Sequence, residues 1–296
     1  MTLIAHISDV HLSPLPAIRI SQLLNKRATG YLNWRLKRGD RMSVDSLEQL
    51  MLHMQRMNPD FIALTGDLIN LGLPDEIRAA HEWLQWLAPA ERLCISPGNH
   101  DAYVRTALPE AIEVYGKYMS GETLDSEAFP FVRRVNEVAI ISCSSAVATP
   151  PFIAAGYFDK AQADRLARIL KLMGDAGYFR IIMIHHPPCR DVEVRPQAQL
   201  FGADRFRKVV YAQGAELILH GHTHNSSIHQ IEGPKKPVPV IGVASASSQI
   251  GSHQAPARYN LFQIHKPGDE WSCTMREYGF QRLGEEIVQR MQLRVH

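Results

Sequence analysis

The histidines of this chain are unevenly placed. The 296 residues include 14 histidines; His185 and His186 are adjacent, and His220, His222 and His224 alternate with other residues. Histidine is the commonest metal ligand in proteins and the usual proton carrier near neutral pH. The clusters therefore indicate metal binding, acid–base chemistry or both.

Polar side chains that can bind metal ions follow five short apolar runs, each of which predicts a buried strand. In chain order, Leu3–Ile7 precedes Asp9 and His11, Phe61–Leu64 precedes Asp67 and Asn70, Leu93–Ile95 precedes Asn99, His100 and Asp101, Ile181–Ile184 precedes His185 and His186, and Leu217–Leu219 precedes the three alternating histidines. Ligands of open α/β sheets bind beyond the carboxyl ends of the strands, so we expect the five clusters to converge on one site. Carboxylate, amide and imidazole donors without a thiolate suit Mn, Fe, Zn or Co.

Stretches with apolar residues at helical spacing alternate with these strands, as is typical of a layered α/β domain. The predicted helices are Val44–Met57, Glu76–Leu87, Lys160–Met173 and Asp204–Gln213. From about Ser226 the pattern becomes strand-like and predicts a second sheet in the C-terminal third, with strands over Val238–Val243, Tyr259–His265 and Trp271–Arg276. No repeat or low-complexity linker interrupts the pattern, so we expect residues 1–296 to form a single domain.

Composition argues against several classes of protein. Apolar residues make up 45% and charged residues 21%, as in globular proteins, and a formal net charge of +2 is too small to predict a specific nucleic-acid partner. Residues 1–12 lack the basic start of a signal peptide, and the long uncharged stretches 138–158 and 237–257 are broken by serines and prolines. The four cysteines are far apart, which favours free thiols in a reducing compartment. We therefore expect a cytoplasmic protein.

The segment from Pro14 to Arg41 is strongly basic. Its only acid is Asp40, Tyr31 and Trp34 lie within it, and its seven basic residues are Arg19, Lys26, Arg27, Arg35, Lys37, Arg38 and Arg41. A solvated helical hairpin would explain this charge. The alternative is a helical insertion that caps the site or offers a patch to an anionic substrate or a membrane surface.

The ordered clusters resemble the calcineurin-like metallophosphoesterase superfamily, whose pattern is D-x-H, G-D, G-N-H-D/E, a histidine at a strand end, and G-H-x-H. Here the pattern reads Asp9-Val10-His11, Gly66-Asp67, Gly98-Asn99-His100-Asp101, His185 and Gly221-His222-Thr223-His224. The resemblance implies a four-layer αββα sandwich of two mixed sheets, with two divalent or trivalent metal ions at the carboxyl ends of the strands. It implies that Asp9, His11, Asp67 and His224 hold the first metal, and that Asp67 bridges to a second metal held by Asn99, His185 and His222.

The same resemblance suggests roles for the remaining residues of the pattern. His100 would be the catalytic residue that protonates or stabilises the leaving oxygen. Asn70 stands where some relatives have an acid that orients this histidine, and the expected substrate contacts are Asn70, Asn99 and His186. His186 would alternatively lie behind the metal ligands. Asp101 would either hydrogen bond to His100 or cap the local backbone.

Within the superfamily, the closest resemblance is to class III cyclic nucleotide phosphodiesterases, which share Gly66-Asp67-Leu68-x-Asn70, His185-His186-Pro187-Pro188 and Gly221-His222-Thr223-His224. It implies a phosphodiesterase for cyclic nucleotides or similar small diesters. A membrane-surface nucleotide-lipid pyrophosphatase that uses the 14–41 segment is the alternative. A non-catalytic scaffold is disfavoured because all seven ligands are present. His253, Pro256 and Tyr259 are further candidates for the substrate pocket.

Overall fold

The computed structural model describes residues 1–23, 25–37, 44–189, 191–249, 255–281 and 286–296. The helices are α1 (Arg27–Lys37), α2 (Val44–Arg56), α3 (Pro74–Leu87), α4 (Ala107–Tyr115), α5 (Lys160–Asp175) and α6 (Ala203–Gln213). The strands are β1 (Thr2–Ile7), β2 (Phe61–Leu64), β3 (Leu93–Ile95), β4 (Phe131–Val135), β5 (Val138–Ser142), β6 (Gly156–Tyr157), β7 (Phe179–Met183), β8 (Leu200–Phe201), β9 (Leu217–His220), β10 (Ser227–Ile231), β11 (Val238–Gly242), β12 (Arg258–His265), β13 (Ser272–Phe280) and β14 (Ile287–Arg294).

Two six-stranded mixed sheets form the centre of the fold, in the orders β14-β13-β12-β1-β2-β3 and β10-β11-β9-β7-β5-β4. In each sheet the strands that precede the predicted ligands are parallel, and antiparallel strands extend the sheet at its sides. Strands β6 and β8 form a small parallel ribbon. Parallel central strands place their carboxyl ends at one edge, which is where the site must form.

The two sheets pack face to face between layers of helices. Ile140 and Ile181 of the second sheet pack in the cluster that contains the first sheet, α2 and α3, whereas their neighbours Ile141 and Ile182 pack with α5 and α6. This alternation follows from the period of two in a strand, which sends successive side chains to opposite faces. The predicted αββα sandwich of two mixed sheets is confirmed.

The C-terminal third does not form a sheet of its own, and that prediction was wrong. Strands β10 and β11 extend the second sheet, whereas β12, β13 and β14 extend the first, where Thr2 of β1 pairs with Ile264 of β12. Strand-like periodicity identifies a strand but carries no information on its partner. The open sides of the two parallel sheet centres supply unpaired backbone groups that these strands satisfy.

The basic segment is partly helical, with a 3₁₀ turn at Ile20–Leu23 followed by α1. Arg19 and Arg35 are exposed, whereas Lys26 and Arg27 are only partly exposed and contact the rest of the protein. The side chain of Lys37 and residues Arg38 and Arg41 lie outside what the structure describes. Among the described helices, none is long and apolar enough to span a membrane.

Candidate metal centre

Side chains from five strand ends converge into overlapping groups. Within each group the potential ligand atoms lie within 4.8 Å of one another, and the groups are Asp9–His11–His224, His11–Asp67–His100, Asp9–Asp67–His185 and His185–His186–His222. Asp67 and His185 link the groups into one continuous set. The predicted convergence of the loops after β1, β2, β3, β7 and β9 is therefore present in the fold.

Distances divide the set into two halves that meet at Asp67. In one half, His224 Nε2 lies 3.1 Å from Asp9 Oδ1 and 3.2 Å from His11 Nε2. Asp67 Oδ2 lies 3.8 Å from His11 Nε2 and 3.3 Å from His185 Nε2, which belongs to the other half. One carboxylate thus reaches both halves, as a bridging ligand must.

Several ligand atoms are buried without a hydrogen-bond partner. They are Asp9 Oδ1, Asn99 Oδ1, His185 Nε2 and His222 Nε2. A buried polar atom without a partner costs free energy, and bound cations would satisfy all four. Nitrogen and oxygen donors of this kind suit Mn, Fe, Zn or Co, so the residues present fit a pair of such ions.

The backbone at the ligands is in an unusual conformation. Eight non-glycine residues of the described chain have positive φ, and five of them are predicted ligands: Asp9, His11, Asp67, His222 and His224. Such conformations are unfavourable for L-residues and persist where the surrounding structure imposes them. Each turns a side chain from the direction of its strand toward the centre of the site.

Two glycines let the ligand loops approach each other. A Cβ at Gly98 would collide with Asp67 Oδ1 and the ring of His185, and a Cβ at Gly221 would collide with Ser8 Oγ and the carboxylate of Asp9. These positions exclude any larger residue because the ligands themselves occupy the space.

Charge interactions within the set are strong. Burial alone would raise the pKa of Asp67, but His185, His100 and His11 hold it well below its usual value. Burial alone would lower the pKa of His185, but the Asp67 carboxylate raises it to about 9. The site therefore favours a negative charge on Asp67 together with a positive charge beside it, which is the electrostatic condition for holding a cation.

Asp101 connects two of the ligand loops. Its fully buried carboxylate accepts hydrogen bonds from the main-chain N–H groups of Gly98 (2.8 Å), Asp67 (2.8 Å) and Leu68 (3.0 Å). Of the two roles considered from the sequence, the structure thus assigns Asp101 to the backbone. It fixes the position of Asp67 relative to the loop that carries Asn99 and His100.

His100 lies at the His11 end of the ligand set. Its main-chain N–H donates to Asp67 Oδ1 (2.7 Å), and its ring is edge-on to that of His11, with centroids 4.7 Å apart. Its Nδ1 donates to the main-chain carbonyl of Asn70 (2.6 Å), because a carbonyl oxygen can only accept. Asn70 therefore orients His100 through its backbone, while its side-chain Nδ2 donates to the carbonyl of Leu12 (2.9 Å). A substrate contact by the Asn70 or Asn99 amide remains a prediction.

His186 lies beside His185 and His222, but its ring nitrogens bond to other loops. Its Nδ1 accepts from Ser145 Oγ (2.8 Å), its Nε2 donates to the carbonyl of Ala154 (2.9 Å), and the side chain is fully buried. Both ring nitrogens are thus engaged by the protein. These contacts favour the alternative position behind His185 and His222, and a substrate contact by His186 remains a prediction.

Sequence reasoning missed two residues beside the ligands. The buried carboxylate of Glu193 lies 3.8 Å from His222 Nε2, and the ring of Tyr103 stacks on His100. Burial would raise the pKa of Glu193, but hydrogen bonds from Arg195 lower it below its usual value, so the group is ionised at neutral pH. The only available signal was an acid or aromatic residue in the same loop as a ligand, which is common in loops without a site.

The basic segment is attached to the rim of the site, which argues against a fully solvated hairpin. Lys26 Nζ donates to Thr149 Oγ1 (2.9 Å) and to the carbonyl of Ile153 (3.3 Å). Arg27 Nε donates to the carbonyl of Leu71 (3.0 Å), which directly follows Asn70. The segment thus joins two loops that flank the ligands.

Of the three further pocket candidates, Tyr259 is the one whose position decides its role. Tyr259 is fully buried in the core of the first sheet, where its ring stacks on Tyr278 and its hydroxyl bonds to His53, so its predicted pocket role is wrong. Pro256 is buried next to β12, and its role in a pocket remains untested. His253 lies outside the described residues.

Comparisons with known proteins agree with the geometry. The family model for calcineurin-like phosphoesterases matches residues 2–226. A dimetal phosphatase of Danio rerio has a similar structure, with a TM-score of 0.66 at 12% identity over 99% of this chain and 98% of that chain. A purple acid phosphatase from yellow lupin seeds gives a TM-score of 0.55 at 9% identity over 97% of this chain and 52% of that chain. None of the curated protein sequences matches the chain.

Proposed function

The chain belongs to the calcineurin-like phosphoesterase family, and we propose that within it this protein is a bimetal-dependent phosphodiesterase for small diesters, with cyclic nucleotides as the leading substrates. The observation that carries the proposal is one continuous set of ligands that divides at Asp67, with His100 held at one end. The free cysteines among the described residues support a cytoplasmic location.

Each residue has a definite part in this proposal. Asp9, His11 and His224 would hold one ion, Asn99, His185 and His222 the other, and Asp67 both. Bound ions of Mn, Fe, Zn or Co would supply positive charge for the phosphate and activate a water molecule. The bond from His100 Nδ1 to the Asn70 carbonyl fixes the ring, so Nε2 is the nitrogen that would give a proton to the leaving oxygen.

Glu193 favours a diester over a monoester. A phosphodiester carries one negative charge, whereas a phosphomonoester carries nearly two at neutral pH. The ionised carboxylate beside His222 repels a dianionic monoester more strongly than a monoanionic diester. The resemblance of the sequence motifs to those of class III phosphodiesterases supports the same class of substrate.

A substrate panel tests the proposal. Protein reconstituted with each metal would be assayed with bis(p-nitrophenyl) phosphate, 3′,5′- and 2′,3′-cyclic nucleotides and the corresponding phosphomonoesters, together with the number of ions bound per chain. We expect diesters to be hydrolysed with higher kcat/KM than monoesters. A protein that binds two ions and hydrolyses no diester would refute it.

One observation favours a second candidate, a nucleotide-lipid pyrophosphatase acting at a membrane surface. Ile20, Phe152 and Val194 are 84%, 83% and 74% exposed on segments that neighbour the site. Lys26, in the same segment as Ile20, donates to Thr149 and Ile153 in the segment that carries Phe152. In the latter segment, the N–H of Ala154 donates to the carbonyl of Gln197, which lies in the segment of Val194. Exposed apolar residues, with the exposed basic Arg19 directly before Ile20, match an anionic lipid surface.

Liposome binding distinguishes this candidate. We expect wild-type protein to sediment with vesicles of anionic phospholipid, and Phe152→Ser to reduce the bound fraction. Trp86→Ser, at an exposed aromatic residue of α3, is the control. Hydrolysis of a pyrophosphate-linked lipid in the same vesicles would establish the pyrophosphatase activity. Absence of vesicle binding by the wild type would eliminate this second candidate.

A further inference from the structure

A cavity of about 490 Å³ lies near the half of the ligand set that contains His185 and His222, and its lining residue Glu193 lies 3.8 Å from His222 Nε2. It lies between the loop after β7 and the start of α6, and its lining includes Pro187, Cys189, Glu193, Gln199, Gly202 and Asp204. Ligand pockets commonly have volumes of about 300 to 1,000 Å³. The cavity is thus large enough for an organic group attached to a phosphate.

Glu193 connects this cavity to the ligands. Its side chain is 5% exposed, and it lies against His222 Nε2, a buried nitrogen without a hydrogen-bond partner. Arg195 holds the carboxylate through a fork, with Nε donating to Oε1 (2.9 Å) and the terminal nitrogen to Oε2 (2.7 Å). Gln199 Nε2 donates to the main-chain carbonyl of Glu193 (2.9 Å). The carboxylate is therefore a fixed acceptor at the junction of cavity and ligands.

The charges of the lining restrict what the cavity accepts. Its charged lining residues within the described chain are the acids Glu193 and Asp204. Arg195, which pairs with Glu193, is not part of the lining and has a side chain that is 60% exposed. A group without negative charge that donates hydrogen bonds suits this lining, and a second anionic group does not.

The cavity and His100 lie at different ends of the site. His100 contacts His11 and Asp67, whereas Glu193 contacts His222. In a diester bound across the ligands, the alcohol that leaves would be at the His100 end. The alcohol that stays on the phosphate would be at the Glu193 end.

We infer that this cavity binds the retained alcohol of the diester and that Glu193 accepts a hydrogen bond from a hydroxyl or ammonium group on it. The inference rests on the proposed phosphodiesterase function and adds the chemical class of the retained group. Sugar hydroxyls and primary ammonium groups share the required chemistry, so the probes below separate them.

Three chromogenic diesters with the same leaving group test the inference. They are thymidine 5′-p-nitrophenyl phosphate (a hydroxyl donor), p-nitrophenyl phosphorylethanolamine (a primary ammonium donor) and bis(p-nitrophenyl) phosphate (neither). We expect at least one of the first two to exceed the third in kcat/KM. In Glu193→Gln, that ratio should fall about tenfold, the usual worth of a hydrogen bond to a charged group.

A binding measurement provides a readout that is independent of turnover. Calorimetry on metal-loaded protein would give the Kd of thymidine 5′-monophosphate or phosphoethanolamine relative to that of inorganic phosphate. Glu193→Gln should weaken the organic phosphate about tenfold relative to inorganic phosphate. Asp191→Asn, an exposed acid in the same loop, is the control and should leave both ratios unchanged.

The outcomes are distinguishable. Unchanged ratios in Glu193→Gln, while the wild type still hydrolyses bis(p-nitrophenyl) phosphate, would overturn this inference and leave the proposed function intact. Loss of bound metal from Glu193→Gln would also overturn it, because the carboxylate would then support the metal centre. Failure of the metal-loaded wild type on all three diesters would refute the proposed function itself.

Discussion

The ring of Tyr103 stacks on the ring of His100, with centroids 5.5 Å apart and an interplanar angle of 21°. Helix α1 of the basic segment passes next to Tyr103 at Gly30, where a Cβ would collide with the Tyr103 ring and with Leu71. Lys26 Nζ lies 4.5 Å from the centroid of the same ring. The basic segment thus reaches the predicted catalytic histidine through one aromatic side chain.

Gly30→Leu should displace α1 from Tyr103. In an isolated helix leucine is favoured over glycine by about 0.8 kcal/mol, so any loss of stability must come from packing. We expect a lower Tm and faster proteolysis within residues 14–43. Ala28→Leu, at an exposed position of the same helix, is the control and should be neutral or stabilising. Equal stabilisation by both changes would contradict the packing of α1 on Tyr103.

Lys26 gives the segment a pH-dependent attachment. Burial lowers the pKa of Lys26 from 10.5 to about 8, so between these values the unfolded chain binds more protons than the folded one. The stability of the wild type should therefore rise relative to that of Lys26→Met as the pH increases from 8 to 10. Urea unfolding at pH 7, 8.5 and 10 measures the difference. The difference in unfolding free energy between the wild type and Lys208→Met, at an exposed lysine, should change less with pH. If the difference for Lys26→Met does not change with pH, burial does not lower the pKa of Lys26.

Asp67→Ala removes the carboxylate that reaches both halves of the ligand set. We expect loss of bound metal and a fall in diesterase activity by several orders of magnitude, with the circular dichroism spectrum retained. Elemental analysis of purified protein gives the metal content. Asp164→Ala, an exposed acid on α5, should keep both metal and activity. Two tightly bound ions and near-normal turnover in Asp67→Ala would refute the ligand assignment.

His100→Ala tests acid catalysis without removing a predicted ligand. Metal content should be kept, and kcat should fall by about 10² to 10⁴ for diesters with poor leaving groups. The loss should be smaller for p-nitrophenolate, which departs without a proton. An equal loss for good and poor leaving groups would assign His100 to positioning the phosphate.

Asp101→Asn should destabilise the metal-free protein. The amide retains one acceptor oxygen but turns an NH₂ group toward main-chain donors that the carboxylate now binds. We expect the free energy of unfolding to fall by about 1 to 3 kcal/mol, because at least one buried main-chain N–H loses its acceptor. Chemical denaturation measures it, with Asp164→Asn as the exposed control. A change within about 0.5 kcal/mol would show that the carboxylate does not hold the two loops.

The strands that precede the predicted metal ligands were largely predictable from the local pattern of apolar and polar residues. Each apolar run ends where its strand ends, within one or two residues, because the apolar side chains give way to polar ligands at that point. Phe61–Leu64 and Leu93–Ile95 match the observed strands. Pairing was not predictable, since β12 and β1 are brought together by contacts distant in sequence. Short β4 and half-exposed β14 were missed because their apolar pattern is weak.

Two adjacent histidines show what could not be predicted from the sequence within the site. His185 and His186 have the same chemistry and the same sequence context, yet His185 faces Asp67 and His186 faces Ser145 and Ala154. The direction of each ring depends on partners from other loops. Glu193 could not be predicted for the same reason. Its proximity to His222 depends on the path of a loop and not on the number of residues between them.

The pairing of β1 with β12 also constrains the order in which the molecule can fold. The main-chain N–H of Ala246 donates to the carbonyl of Ser8 (2.9 Å), and Ser245 Oγ donates to that of Asp9 (2.7 Å). The surroundings of the first ligands are therefore complete only after residues 245 and 246 have been synthesised and packed against β1, a consequence of these long-range contacts. We therefore expect tight metal binding to follow the assembly of this part of the molecule and not to precede it.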